Sequence, residues 1–197
     1  MIVIGLTGGI GMGKSAAAAI LGDLGLSVHD ADAAVHKLLA KGGKGVRPVA
    51  RLFPQAFRAG AVDRRVLGAM VLGKPAQLKK LEKILHPLVR QAEEEFLRRA
   101  RRRKAPAAVL DIPLLFETGA ERRCDVTICV TAPEKIRQAR TLRRKGMTRK
   151  KLAAIRAHQM PDAEKRRRAD HVVDTGGTRA ATRRQLAEIV KGLGAGI

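Results

Sequence analysis

Aromatic residues and cysteines are scarce in this sequence. Phe, Trp and Tyr make up 2% of its 197 residues, with no Trp or Tyr. Proteins that bind single-stranded nucleic acid usually stack bases on aromatic side chains, so the composition weakens that class. The two cysteines, Cys124 and Cys129, are not spaced as CxxC, and no His or acidic partners stand at zinc spacing. These absences exclude a zinc module and favour a reducing cytoplasm.

Long apolar runs are missing as well. No window approaches the roughly 18 consecutive apolar residues of a transmembrane helix. The apolar start, Met1 to Ile10, has neither the basic region nor the cleavage site of a signal peptide. We therefore expect a soluble protein without a membrane partner. With 45% apolar side chains, the chain can bury one sizeable core and carry a smaller appended lobe.

Acidic residues are few beside the basic ones. The chain has 40 Lys and Arg against 18 Asp and Glu, a formal charge of +22. Such a charge attracts polyanions, so nucleotides, coenzymes and nucleic acids all qualify as partners. The densest basic runs are Arg98–Lys104, Arg140–Lys151 and Lys165–Arg168. Solvated helix faces explain any single one of these arginines equally well.

Short β-branched apolar runs alternate with helical patterns along the chain. Strands are predicted at Met1–Thr7, Leu26–His29, Ala107–Leu110, Val126–Val130 and His171–Val173. Helices are predicted at Ser15–Leu24, Ala31–Lys41, Arg64–Leu72, Pro75–Ile84, Leu88–Arg103, Glu134–Lys145, Thr148–Gln159 and Thr178–Lys191. Gly25 is expected to end the first helix, and Pro87 to mark a helix start. The alternation predicts an α/β fold with a five-stranded parallel sheet flanked by helices.

A glycine-rich segment between the first strand and the first helix fits G-x-x-x-x-G-K-[ST] at every fixed position. Its glycines let backbone N–H groups curl around a phosphate at a helix N-terminus. The alternative is a glycine-rich turn that binds nothing. We predict a P-loop that binds ATP, with Lys14 bridging the β- and γ-phosphates. Its phosphate-binding residues are Gly8, Gly9, Ile10, Gly11, Met12, Gly13, Lys14 and Ser15.

Two oxygen donors are candidates for holding Mg²⁺. The Ser15 hydroxyl follows the P-loop lysine, which is the usual place of a magnesium ligand. Asp111 closes the apolar run Ala107–Leu110, where a carboxylate at a strand end can hold the ion or its water shell. A turn formed with Pro113 is the alternative role for Asp111.

Asp30 and Asp32 stand at the predicted end of the second strand. Side chains two residues apart on an extended segment lie on the same side, so both could point to the carboxyl edge of the sheet. Ligands of open α/β sheets bind there, and a carboxylate could accept the proton of an acceptor hydroxyl. The alternative for either residue is to cap the following helix.

Three arginines recur at helical spacing after the fourth strand. Arg140 and Arg144 are four residues apart on a predicted helix, and Arg137 extends the same face. Planar guanidinium groups suit the spread charge of a transferring phosphoryl group. A phosphate clamp and a solvated face both fit this spacing.

The chain resembles the dephospho-CoA kinase family over essentially its whole length. The resemblance rests on segments that follow the family's pattern in order. They are GLTGGIGMGKS (Gly5–Ser15), VHDAD (Val28–Asp32), DRRVL (Asp63–Leu67), LEKILHPLVR (Leu81–Arg90), DIPLLFE (Asp111–Glu117), Arg140, Arg144, Gly146, HQMP (His158–Pro161), Lys165 and ADHVVD (Ala169–Asp174). The HP and IPLLFE elements discriminate best, because many P-loop kinases share the loop alone.

The resemblance implies transfer of the γ-phosphate of ATP to the ribose 3′-hydroxyl of dephospho-CoA, with Mg²⁺. It makes Asp32 the base, with Lys14 and Arg140 as further catalytic residues. Nucleotide contacts would include Arg140, Arg144 and Thr175, although the family often has Asn at position 175. Acceptor contacts would include Asp32, His86, Arg90, Leu114 and Glu117, although a buttressing role also suits His86. Leu72, where the family commonly has Phe, should affect packing only.

The resemblance also implies an organisation. A single kinase domain would comprise a core of residues 1–32, 104–136 and 169–197, a helical acceptor lobe at about 33–103 and a helical lid at about 137–168. A monomer or weak homo-oligomer is expected. Two alternatives are a shikimate-kinase-like enzyme, whose mid-chain glycine triplet is missing here, and a basic nucleic-acid-binding ATPase supported only by charge.

Overall fold

The computed structural model describes residues 1–157 and 159–195, and it has an α/β fold. Five parallel strands form the main sheet in the order β2-β5-β1-β6-β7. These strands are β1 (Ile2–Thr7), β2 (Ser27–Asp30), β5 (Ala107–Asp111), β6 (Val126–Thr131) and β7 (His171–Asp174), and a separate antiparallel pair is β3 (Phe57–Arg58) and β4 (Ala61–Val62). The predicted fold class and all five predicted strands are confirmed.

Helices connect the strands. They are α1 (Lys14–Asp23), α2 (Ala31–Leu39), α3 (Val46–Leu52), α4 (Arg64–Val71), α5 (Pro75–Arg102), α6 (Glu134–Leu142), α7 (Arg149–Ala157), α8 (Asp162–Arg168) and α9 (Arg179–Gly192). Short 3-10 helices lie at Pro54–Ala56 and Ala120–Arg123. Gly25 ends α1 as predicted: its φ is +86°, and Leu26 N–H donates to the Leu21 carbonyl at 3.1 Å.

The predicted helix start at Pro87 is wrong. Pro87 lies inside α5, which is one helix of 28 residues. Proline lacks an N–H, so its place in the helix removes one backbone hydrogen bond. A helix with full turns on both sides of a proline retains its remaining backbone bonds, and this continuity outweighs the local loss.

Further elements differ from the prediction. Helices α3 and α8 and the β3–β4 pair were not predicted, because they are too short to show a period. Helix α6 ends at Leu142 rather than continuing to Lys145, so Arg144 follows the helix. Its N–H donates to the Thr141 carbonyl at 3.1 Å, and Gly146 adopts a φ of +75°. The predicted helix end at Gln159 is also too late, and His158 lies outside the described residues.

The chain divides into two compact units. The first comprises Met1–His29 and Ala100–Ile197, and the second is Asp30–Arg99. The first unit contains the main sheet, and every residue of β5 is buried. Its core includes Ile4, Leu6, Ile20, Val109, Ile128, Val173 and Leu186. A strand covered on both faces needs such a continuous apolar run, which explains the strand pattern of the sequence.

The second unit has its own core of side chains from α2, α3, α4 and α5. Val49, Phe53 and Ala56 are at most 2% exposed. Asp63 begins α4 by accepting hydrogen bonds from Arg65 N–H at 2.9 Å and Val66 N–H at 3.1 Å. None of the helices within residues 1–157 and 159–195 is both long and apolar enough to cross a membrane.

Candidate active site

The glycine-rich loop between β1 and α1 has the backbone of a phosphate-binding loop. Gly11 and Gly13 have φ values of +80° and +82°, a region that glycine adopts without steric cost. Gly13 is also the N-cap of α1. The first N–H groups of a helix have no carbonyl partner inside it, and their dipoles favour an anion. The loop therefore presents backbone donors where Lys14 begins the helix.

Close neighbours explain why the loop needs glycine. A Cβ at Gly13 would lie 2.6 Å from Thr175 Oγ1, and one at Gly8 would lie 2.5 Å from Val130 Cγ2. A Cβ at Gly11 would collide with Thr141 Oγ1. The loop packs against β6, α6 and the end of β7 on three sides.

Lys14 and Asp111 form an ion pair at the carboxyl end of the sheet. Lys14 Nζ lies 2.5 Å from Asp111 Oδ1, and the two side chains are 15% and 4% exposed. Strands β1 and β5 are neighbours, and Leu6 is in register with Asp111. This register brings the end of β5 beside the P-loop that follows β1. The predicted strand-end carboxylate therefore lies in contact with the P-loop lysine.

Arg140 reaches the P-loop through Thr175. Its Nη1 donates to Thr175 Oγ1 at 3.0 Å, and its Nη2 donates to the Thr175 carbonyl at 2.6 Å. The Thr175 hydroxyl is within 2.8 Å of the Met12 carbonyl and 3.1 Å of the Thr131 carbonyl. Thr175 is buried, and its hydroxyl contacts the backbone of the P-loop at Met12.

The three arginines of the predicted stripe do not form one surface. Arg137 is buried and pairs with Glu134 Oε2 at 3.3 Å. Arg140 is half-buried, and Arg144 is exposed in the turn after α6. The predicted common face is wrong because the helix ends between Arg140 and Arg144.

Comparison with known proteins identifies the family. The family model for dephospho-CoA kinase matches residues 2–180. The chain belongs to the dephospho-CoA kinase family. A relative named dephospho-CoA kinase from Paramagnetospirillum magneticum is 58% identical over 166 residues, which cover 84% of this chain and 78% of the relative.

Two further comparisons cover nearly the whole chain. A dephospho-CoA kinase from Brucella melitensis is 50% identical over 193 residues, 98% of this chain and 96% of the relative. A solved structure of a Thermus thermophilus protein has a TM-score of 0.86 and 39% identity, and the match covers 97% of this chain and 96% of that one. The resemblance drawn from the sequence motifs is confirmed at the level of the family.

Asp30 and Asp32 have different local roles. Asp30 ends β2 and caps α2, where its Oδ1 accepts the Ala33 N–H at 2.9 Å. Asp32 lies in the first turn of α2 and is exposed. The prediction that both stand on one extended segment is wrong, because the helix begins at Ala31. Asp30 caps α2, which was the alternative role considered for either residue, whereas Asp32 lies within the helix.

The other predicted acceptor residues of the second unit lie on α5. His86 and Arg90 are four residues apart, hence on one face of the helix, and both are exposed. Arg90 Nε lies 3.7 Å from Glu94 Oε1, also one turn apart. Both His86 and Arg90 lie on one continuous helix.

The dephospho-CoA kinase segment Asp111–Glu117 turns back after β5. The Leu114 carbonyl accepts hydrogen bonds from the Thr118 hydroxyl at 2.8 Å and the Thr118 N–H at 3.1 Å. Glu117 Oε1 lies 2.9 Å from Lys165 Nζ and accepts the Met160 N–H at 2.7 Å. One oxygen of Glu117 is thus committed to contacts within the protein.

Lys165 is a residue whose importance sequence analysis missed. It is fully buried, and its Nζ also donates to the Pro113 carbonyl at 2.9 Å. In the sequence it opens the basic run Lys165–Arg168, which has the pattern of a solvated helix face. The resemblance to the family includes Lys165 but implies no role for it. Burying a lysine is costly unless it is paired and hydrogen-bonded, and here it is both.

The site has oxygen donors that fit Mg²⁺. The Ser15 hydroxyl lies in the first turn of α1 and is exposed, and the Asp111 carboxylate ends β5. Among the described residues, no group of three or more His, Cys, Asp or Glu could hold a metal ion by itself. Mg²⁺ in kinases is usually bound by one or two protein oxygens plus substrate phosphates, so this donor set is sufficient.

Cys129 is not a nucleophile of this site. Burial, together with the smaller effect of the nearby negative charge of Asp162, raises the pKa of its thiol to about 11. The thiol therefore remains protonated and unreactive at neutral pH.

Proposed function

We propose that this protein transfers the γ-phosphate of ATP to the ribose 3′-hydroxyl of dephospho-CoA, giving CoA and ADP. The observation that carries the proposal is a P-loop of suitable geometry in a chain that belongs to the dephospho-CoA kinase family. Such a reaction makes the protein a phosphotransferase that completes CoA synthesis.

The residues of the first unit would hold the nucleotide. The P-loop N–H groups and Lys14 would bind the β- and γ-phosphates, for which the Asp111 pairing already orients the lysine. Ser15 and Asp111 would hold Mg²⁺, which neutralises charge on the phosphates when bound. Arg140 would keep the P-loop in shape through Thr175, with Arg144 free to meet nucleotide phosphate from solvent. The main contribution to rate is positioning and charge neutralisation.

The acceptor would be handled by Asp32 and its neighbours. The exposed carboxylate of Asp32 would accept the proton of the 3′-hydroxyl as it attacks the γ-phosphate. His86 and Arg90 would bind the acceptor from α5, and Leu114 and Glu117 from the turn after β5. In this scheme residues 33–103 form the acceptor lobe, residues 137–168 the lid, and the rest the core of one cytoplasmic kinase domain.

One assay tests this proposal against the two alternatives, a shikimate-kinase-like enzyme and a nucleic-acid-binding ATPase. Purified protein is supplied with ATP and Mg²⁺, and ADP release is followed with dephospho-CoA, shikimate or single-stranded DNA as the only addition. We expect release with dephospho-CoA alone. ADP release that depends on shikimate, or ATP hydrolysis stimulated by DNA, would overturn the proposal.

A further inference from the structure

The segment between α7 and α8 contacts the arm of the P-loop that precedes its last glycine. Ile10 N–H donates to Gln159 Oε1 at 3.0 Å. A Cβ at Gly9 would lie 3.6 Å from Gln159 Oε1 and 3.8 Å from Asp162 Oδ1. The side chain of Gln159 therefore lies directly against Gly9 and Ile10, on the loop that binds phosphate.

A partly buried network of hydrogen bonds holds the backbone beside Gln159. The next residue, Met160, donates its N–H to Glu117 Oε1, which is also the partner of the fully buried Lys165. Asp162 Oδ2 accepts the Thr131 hydroxyl at 3.3 Å. Backbone and side chains on the C-terminal side of Gln159 are thus bonded to the turn after β5 and to the end of β6. The backbone that carries the Gln159 side chain is therefore held beside the P-loop.

The carboxamide group determines which hydrogen bonds the Gln159 side chain can form. Its oxygen is the only acceptor of the side chain, and it accepts the Ile10 N–H. The other end is an NH₂ group, which can only donate, and it is bonded to the same carbon as the oxygen. A donor is consequently held beside the P-loop, where the terminal phosphate of a nucleotide would carry the greatest negative charge.

We propose that Gln159 binds the γ-phosphate of ATP, with Oε1 holding the Ile10 N–H and Nε2 donating to a γ-phosphate oxygen. The inference rests on the proposed function only in requiring ATP at this loop. It assigns a contact that distinguishes ATP from ADP, since only ATP has the phosphate that Nε2 would contact. Lys165 contacts Glu117, which in turn accepts the Met160 N–H beside Gln159.

Two substitutions of Gln159 separate the role of its oxygen Oε1 from that of its nitrogen Nε2. Gln159→Glu keeps an acceptor for the Ile10 N–H but replaces the donor with a charged oxygen. Gln159→Leu, of similar size, removes both. Losing a hydrogen bond to a charged group typically weakens binding about 10- to 100-fold. We expect ATP affinity to fall about tenfold in the Leu variant, with ADP affinity changed less than about twofold. In the Glu variant ATP affinity should fall further, and more than ADP affinity, because the γ-phosphate lies nearest the new charge.

The measurement is isothermal titration of ATP and of ADP, each with Mg²⁺ and without acceptor. Gln77→Glu in the first turn of α5 adds the same charge in the second unit and should leave both affinities unchanged. Retained ADP affinity shows that a variant is folded, so either variant suffices if the other is unstable. Wild-type-like ATP affinity in Gln159→Glu, or equal losses of ATP and ADP affinity, would overturn the inference.

Failure of this inference is distinguishable from failure of the proposed function. If wild-type protein phosphorylates dephospho-CoA but the Gln159 variants bind ATP normally, only the γ-phosphate contact is wrong. If wild-type protein fails to phosphorylate dephospho-CoA, the acceptor assignment is wrong, and the ATP and ADP titrations still decide the role of Gln159.

Discussion

At the residue scale, Asp30 and Asp32 are two positions apart in the sequence but differ in their contacts. The Asp30 carboxylate is bonded to the backbone at the start of α2, whereas that of Asp32 is exposed. A general base contributes typically 10²- to 10⁴-fold, and a loose phosphoryl-transfer transition state favours the lower end. We therefore expect Asp32→Asn to lower kcat about 100-fold and to leave ATP affinity nearly unchanged.

Asp30→Asn is the matched control for this substitution. Asparagine caps helices about as well as aspartate, so the α2 start should persist and kcat should stay close to that of the wild type. Steady-state kinetics with varied dephospho-CoA separate the two variants. Near-normal turnover in Asp32→Asn would refute the role of Asp32 as the base.

Gly13 provides a second test at a single residue. Gly13→Ala would place a Cβ 2.6 Å from Thr175 Oγ1, in a backbone conformation that costs other residues about 1–2 kcal/mol. We expect ATP binding to be lost, because either the loop or Thr175 must move.

The control for Gly13→Ala lies in α1, the helix that Gly13 caps. Among residues 1–157 and 159–195, a Cβ at Gly22 would meet only Val28 Cγ2 outside its own helix backbone, at 4.0 Å, within ordinary contact distance. Gly22→Ala should raise the free energy of unfolding by about 0.5–1 kcal/mol and keep ATP affinity. Calorimetric titration and denaturant unfolding report the two effects, and intact ATP binding by Gly13→Ala would contradict our description of the loop.

At the scale of the elements, a carboxylate links the start of β6 to the start of β7. Asp170 Oδ2 accepts the Thr127 N–H at 2.8 Å and the Thr127 hydroxyl at 2.7 Å, and Asp170 N–H donates to the same hydroxyl at 3.0 Å. The hydrogen bond from the Thr127 side chain is the main reason that the pKa of Asp170 lies below its ordinary value of 3.8.

The lowered pKa of Asp170 determines how its contribution to the free energy of unfolding changes with pH. The folded state prefers the ionised form, so the contribution to stability is full above pH 3.8 and is lost as pH falls through the folded pKa. Asp170→Ala should lower the free energy of unfolding by roughly 1 kcal/mol at pH 7 and by less in stronger acid. Urea unfolding at several pH values measures this difference. A difference that stays constant down to the lowest pH would contradict the assignment.

Elements with a clear period could be predicted from the sequence, and short ones could not. The five strands and the P-loop were predicted because buried strands give unbroken apolar runs and the loop has fixed glycine positions. Pro87 misled the prediction of α5, since local rules favour a break that continuity of the long helix overrides. The pattern around Gln159 and Lys165 predicts only helix and a solvated basic face, because the contacts of these residues are with Ile10 and Glu117, which are distant in sequence.

At the scale of the whole molecule, the formal charge of +22 should favour anionic substrates. Electrostatic attraction over distances beyond about 10 Å is screened at 0.1 M ionic strength. We expect kcat/KM for dephospho-CoA to fall as salt rises, with a smaller change in kcat, because encounter is affected more than chemistry. Kinetics across a potassium chloride series with constant Mg²⁺ provide the measurement. A kcat/KM that is independent of salt would show that the excess charge does not assist substrate encounter.

Transfer of a labelled phosphate tests the central claim most directly. The protein is incubated with ATP labelled at the γ-phosphate and with dephospho-CoA, and the products are separated beside authentic CoA. We predict that the label co-elutes with CoA, in amounts equal to the ADP formed, and is released by an enzyme specific for 3′-phosphates. Label that appears only as free phosphate, or on dephospho-CoA at a site other than the 3′-hydroxyl, would contradict the proposed function.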